Sequence, residues 1–101
     1  MATKVTLWDA DGLHIWAEIN DDKALTISGQ DLRPPAPFGD EYEYVLTVAQ
    51  ADINTVVVAL GGAPGDDVLP LLKANGPMIK GKGEQAWLKS LGITPELWSW
   101  Y

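Results

Sequence analysis

Lys4-Val5-Thr6-Leu7-Trp8-Asp9-Ala10-Asp11-Gly12-Leu13-His14-Ile15-Trp16-Ala17-Glu18-Ile19 is the stretch whose reading decides the fold. Val5 and Leu7 alternate with Lys4, Thr6 and Trp8, and Leu13, Ile15, Ala17 and Ile19 alternate with His14, Trp16 and Glu18. Period-2 alternation on both sides of Asp11-Gly12 predicts a hairpin of two half-buried strands. A three-residue loop, Ala10-Asp11-Gly12, pairs Leu7 with Ile15 and Val5 with Ala17, and sets Gly12 where a left-handed residue is needed. A two-residue Asp-Gly turn would set Leu7 against Trp16 and Val5 against Glu18, mixing the faces, so the longer loop is expected. The outer face then pairs Trp8 with His14, Thr6 with Trp16 and Lys4 with Glu18.

Leu25 and Ile27 continue the alternation as a third strand, after a turn within Asn20-Asp21-Asp22-Lys23 that brings Ile19 near Leu25. Residues 30–40 break the pattern with three prolines, which remove backbone donors and favour an extended loop pinned by Phe38. Glu41 to Val48 alternates again as a fourth strand. The period then becomes helical. Ile53, Val56, Val57 and Leu60 form one stripe, with Asp52 as N-cap and Gly61-Gly62 as the stop. Asp67 is the better cap for a second helix bearing Val68, Leu71 and Leu72, because it leaves Pro70 where no helical donor is lost. Asn75-Gly76-Pro77 stops that helix, and Met78 to Gly83 reads as a loop. Glu84 to Leu91 fits a short helix ended by Gly92. Thr94-Pro95-Glu96 resembles another helix start, and Leu97 to Tyr101 is either a helical turn or a closing strand. Strands followed by helices predict one α+β domain over residues 1–101: a four-stranded antiparallel sheet, then two to three helices packed on one face.

Composition narrows the function classes. The chain has 101 residues, 47% of them hydrophobic, and a formal net charge of −7. Residues 1–67 hold 12 acidic and 3 basic side chains, and residues 68–101 hold 2 and 4. An acidic surface repels phosphate, so nucleic acid is not an expected partner, whereas a basic protein is. No apolar run reaches the length of a membrane span and no secretory leader opens the chain, so no membrane partner and a cytoplasmic address are expected. Without cysteine there is no thiol chemistry or disulfide.

Val5 to Gly12 resembles the first motif of haloacid-dehalogenase-type phosphatases, a hydrophobic strand ending in Asp-x-Asp-Gly. That resemblance implies Asp9 as nucleophile and Asp11 as general acid. The family requires a helix next, and a strand follows here, so Asp9 and Asp11 read as turn formers. His14 is the only histidine; its spacing supplies neither a serine nucleophile nor three further metal ligands. No catalytic residue, metal site or cofactor is expected, and the chain reads as a non-enzyme.

Five tryptophans remain to be explained: Trp8, Trp16, Trp87, Trp98 and Trp100. Either the C-terminal segment folds over Trp8 and Trp16, or that face is open to a partner. The candidate binding residues are Trp8, Asp9, Asp11, His14, Trp16, Glu18 and Glu43. They suit a non-catalytic interaction module, such as an immunity- or antitoxin-like inhibitor of a basic protein. The alternatives are a small-molecule binder or minor enzyme with a site between the sheet and the 76–83 loop, and a homodimer joined through the Trp8/Trp16 face; the protein is expected as monomer or homodimer.

Ile27-Ser28-Gly29-Gln30-Asp31-Leu32, Tyr42-Glu43-Tyr44, Ala59-Leu60-Gly61-Gly62 through Leu69, and Trp87-Leu88 through Ser99 together resemble small uncharacterised proteins of high-GC Gram-positive (actinobacterial) bacteria. The resemblance spans most of the chain from residue 25 on. It implies a cytoplasmic bacterial protein and assigns no chemistry.

Overall fold

The computed structural model describes residues 4–10, 12–31 and 42–100. The chain is α+β, with five antiparallel strands in sequence order and four helices. The strands are β1 (Lys4–Ala10), β2 (Leu13–Ile19), β3 (Leu25–Asp31), β4 (Tyr42–Val48) and β5 (Glu96–Trp100). The helices are α1 (Ile53–Ala59), α2 (Val68–Ala74), α3 (Gly76–Lys82) and α4 (Glu84–Ser90), with a short 3-10 turn at Gln50–Asp52 before α1.

The first hairpin combines both competing registers. Lys4 pairs with Glu18, Val5 with Ala17 and Thr6 with Trp16, as alternation requires. Nearer the turn, Ala10 pairs with Leu13, Asp9 with His14 and Trp8 with Ile15, which leaves two residues in the connection. The register shifts between Thr6 and Trp8, so Leu7 is an extra residue in β1. Gly12 has φ 81°, the left-handed geometry that a tight Asp-Gly hairpin turn favours. The turn sets its own register, burial of Val5 and Ala17 sets another, and a one-residue bulge reconciles them. Trp8 therefore faces Ile15, not His14 as expected.

The remaining ladders are regular. Ile19 meets Leu25, and Asn20 shapes the turn by accepting from the amides of Asp22 and Ala24 at 2.9 and 3.0 Å. Ile15, Ala17, Leu25, Ile27, Leu46 and Val48 are buried on one face. The helices bring Val56, Val57, Leu69, Leu72, Ile79 and Leu88 to the same core. Asp67 caps α2 through the Leu69 amide at 3.1 Å. Asp52 stands at the α1 N-cap position but makes no side-chain cap bond.

Three expectations are corrected. Residues 76–82 are helix, not loop: Pro77 at the first turn is compatible with helix, and burial of Ile79 outweighs the poor propensity of two glycines. Thr94-Pro95 leads into a strand, because Glu96 to Trp100 finds an open edge of β4. The sheet thus has five strands, and the helices number four. Phe38 and the proline-rich loop lie outside the described residues.

Two glycines mark close approaches. A Cβ on Gly29 would collide with the Tyr44 ring, which covers it, and a Cβ on Gly76 would collide with the Leu7 backbone carbonyl. Tyr44 in turn donates from its hydroxyl to Glu84 Oε2 at 3.0 Å, tying β4 to α4. Gly29→Ala and Gly76→Ala are each expected to cost about 1–3 kcal/mol by overpacking. Gly81→Ala in α3, where a Cβ meets open space, is expected to be neutral or to stabilise by up to about 1 kcal/mol. Urea unfolding of the three variants checks this; equal midpoints would show that neither contact constrains the fold.

Candidate functional site: the helix-free face of the sheet

All four helices contribute to the core on one face of the sheet. Among the described residues no helix lies over the other face. Strand register arranges this outer face in rows. One row runs Thr6, Trp16, Ser28, Val45, Trp98 across all five strands. A second runs Lys4, Glu18, Thr26, Thr47, Glu96, and a third runs Asp9, His14, Gln30, Glu43. Ser28 and Thr26 are buried although no described helix covers them. Trp16 and Trp98 lie in one row on either side of Ser28 and Val45, three strands and roughly 14 Å apart at normal strand spacing.

The bulge redistributes the expected site. Trp8 shares the Ile15 face, packs against the core and carries Lys80 of α3 over its ring at 4.6 Å. Its expected place on the outer face goes to Asp9. His14 Nδ1–H donates to Asp9 Oδ1 at 2.6 Å. Trp16 keeps its outer position, with Lys4 Nζ 5.1 Å from its ring centroid. Glu18 lies beside Lys4 in the ladder, and Glu43 accepts from Gln30 Nε2 at 3.4 Å. Asp11 lies outside the described residues.

An Asp–His pair orients an imidazole for proton transfer. Here the side chains are 40% exposed for His14 and 62% for Asp9, so water screens the pair. Among the described residues no three His, Asp or Glu side chains gather at metal-binding distance. A recess of about 310 Å³ opens around the pair, lined by Lys4, Thr6, Trp8, Asp9, His14, Ile15, Trp16 and Gln30. Residues 76–82, expected as a loop bordering a ligand space, form α3, with Ile79 fully buried.

The C-terminal segment does not fold over Trp8 and Trp16. It forms the far edge of the sheet, and Trp98 is left 63% exposed. Among the described side chains the large apolar residues left most open are Val58, Met78, Leu97 and Trp98, and two of these are neighbours on β5. Trp98 and Glu96 were absent from the expected site. The signal available was the alternation Glu96-Leu97-Trp98, too short to separate strand from helical turn.

No protein-family model matches the chain, and no curated protein or solved structure matches it either. Among the described residues no helix is long and apolar enough to cross a membrane.

The tryptophans should separate by burial. Trp87, 4% exposed in the core, is expected to cost about 3–5 kcal/mol on truncation to alanine. Trp98→Ala is expected to cost less than about 1 kcal/mol. Denaturant unfolding of the two variants checks the contrast, and a large loss at Trp98 would mean that its ring is structural.

Proposed function

We propose that this protein is a non-catalytic interaction module, of the immunity- or antitoxin-like kind, that holds a basic partner on the helix-free face of its sheet in the cytoplasm. The observation that carries this reading is Trp98, 63% exposed beside Glu96 on that face. Trp8 and Trp16 each have a lysine of the same chain over the ring. No described cation occupies Trp98. An indole flanked by carboxylate offers an arginine or lysine both ring attraction and charge pairing. Each contact at an exposed site is worth only about 0.5–1 kcal/mol, so useful affinity needs several together. Asp9, Glu18 and Glu43 extend the acidic surface across the face.

Affinity capture on the immobilised chain is expected to retain a basic protein at low salt and release it when ionic strength rises by roughly tenfold. Trp98→Ala combined with Glu96→Gln is expected to lower retention by at least roughly tenfold. Retention of nothing, or retention indifferent to salt and to both substitutions, would overturn the reading.

A second reading rests on the recess at the bulge. Trp16 supplies an apolar wall there, and Asp9, His14, Gln30 and Thr6 supply convergent polar groups, the composition of a small polar ligand site. Thermal-shift screening against metabolites checks it: a reproducible rise in Tm that His14→Ala abolishes supports a ligand, and a flat screen removes it.

A further inference from the structure

The two edges of the sheet are built differently. β1 is interrupted by the Leu7 bulge, carries exposed Lys4 and Asp9, and is approached by α3 where Gly76 meets the Leu7 carbonyl. Bulges, charges and covering elements are the devices that stop an edge from pairing with another chain. β5 has no bulge, and among the described residues no element covers its outer edge. Its pairing with β4 runs from Glu96 to Trp100 without a register shift, its sequence Glu-Leu-Trp-Ser-Trp contains no proline or lysine, and Glu96 is its single charge. A regular edge of this kind offers unpaired backbone donors and acceptors to an incoming strand.

The two sides of that edge differ in chemistry. Glu96 and Trp98 project to the outer face with Thr47 and Val45. Leu97, 45% exposed, projects the other way with Leu46. On that side it borders a cleft of about 200 Å³ lined by Tyr44, Leu46, Glu84, Gln85 and Leu97. A strand laid along β5 would alternate between these two surroundings, because successive side chains point to opposite faces. Outward positions would meet carboxylate and indole, and inward positions would meet the aliphatic cleft.

We infer that the open edge of β5 receives an extended segment of a partner whose side chains alternate between cationic and aliphatic residues, adding a sixth strand to the sheet. The inference rests on the basic-partner reading above and specifies how that partner docks. Charge selects this occupant over a second copy: two copies would each bring a net charge of −7 and a Glu96 to the junction. Main-chain hydrogen bonds then supply affinity, and the alternating surroundings supply register and specificity.

The test uses the full chain, labelled for NMR, and three short acetylated peptides of arginine and valine. One alternates the two residues. One has the same composition in two blocks. One alternates but carries N-methyl groups on every second backbone nitrogen, which removes donors on one edge and leaves the side chains. The alternating peptide is expected to bind at least roughly tenfold more tightly than either control and to slow hydrogen exchange at alternate amides of β5. Equal binding of all three, lost in Trp98→Ala, would overturn strand addition and leave the basic-partner reading standing. Failure of every peptide to bind would overturn both. A dimer of the chain alone in sedimentation, with β5 amides protected, would also overturn the inference by placing a second copy on the edge. Because the backbone change is made in the peptide, loss of binding cannot come from misfolding of the protein.

Discussion

The extra residue at Leu7 is the constraint on which the rest of the structure depends. A two-residue connection fixes the pairing of Ala10 with Leu13, and continued without interruption this register would carry Val5 and Leu7 to the wrong face. One bulge absorbs the conflict. Its consequences reach both layers. Leu7 and Trp8 stand together opposite Ile15, so the core gains an indole edge and Lys80 gains a ring. The Leu7 carbonyl meets Gly76, which only a residue without Cβ permits, and α3 docks there. On the outer face Asp9 arrives beside His14. Docking of one helix and assembly of the polar corner thus follow from the same backbone irregularity.

That arrangement explains why all four helices lie on one side of the sheet. The core-facing residues are aliphatic and nearly fully buried, and Tyr44 spans from the sheet over Gly29 to Glu84 on α4. The outer rows are short hydroxyls, charges and two indoles, a surface that four helices cannot bury without leaving polar groups unpaired. The indoles of this face are handled unequally. Trp16 lies in the interior of the sheet with Lys4 over it, while Trp98 stands on an edge strand. An exposed indole beside an open edge combines a large apolar contact with backbone groups that seek partners. Neither feature alone gives specific binding, and together they define one line on the molecular surface.

Much of this was legible in the residues. Alternation located the first four strands and the pairing of Ile19 with Leu25, and Asp67 was correctly read as the cap of α2. The α+β class followed from the change of period near residue 50. What escaped did so for identifiable reasons. Choosing one hairpin register over the other assumed that a single rule must win throughout, whereas the chain satisfies both by inserting a residue. Placing Trp8 outside was the direct result. Helix α3 was hidden by Gly76, Pro77 and Gly81, residues that signal loops unless tertiary contact at Ile79 and Leu7 decides otherwise. Strand β5 was hidden by brevity: five residues give only two and a half alternations. The partial candidate site reflects the same limits, because Trp16, His14, Glu18 and Glu43 lie on interior strands while Trp98 and Glu96 lie on the element that could not be assigned.

Charge completes the link between layer order and recognition. Among the described residues the outer face presents Asp9, Glu18, Glu43 and Glu96 against Lys4. Helices α2, α3 and α4 present Lys73, Lys80, Lys82 and Lys89 against Glu84. The helical side also carries Asp52, Asp66 and Asp67 at the starts of α1 and α2, so its described charges nearly balance, whereas those of the outer face are mostly acidic. The molecule's thinnest dimension is 23 Å, more than twice the screening length of about 8 Å at physiological ionic strength. Each face therefore acts on its surroundings almost independently of the other. The proposed basic partner would therefore be steered by the carboxylates of the sheet face, with little offset from the far side, toward the side where Trp98 and the β5 edge are exposed.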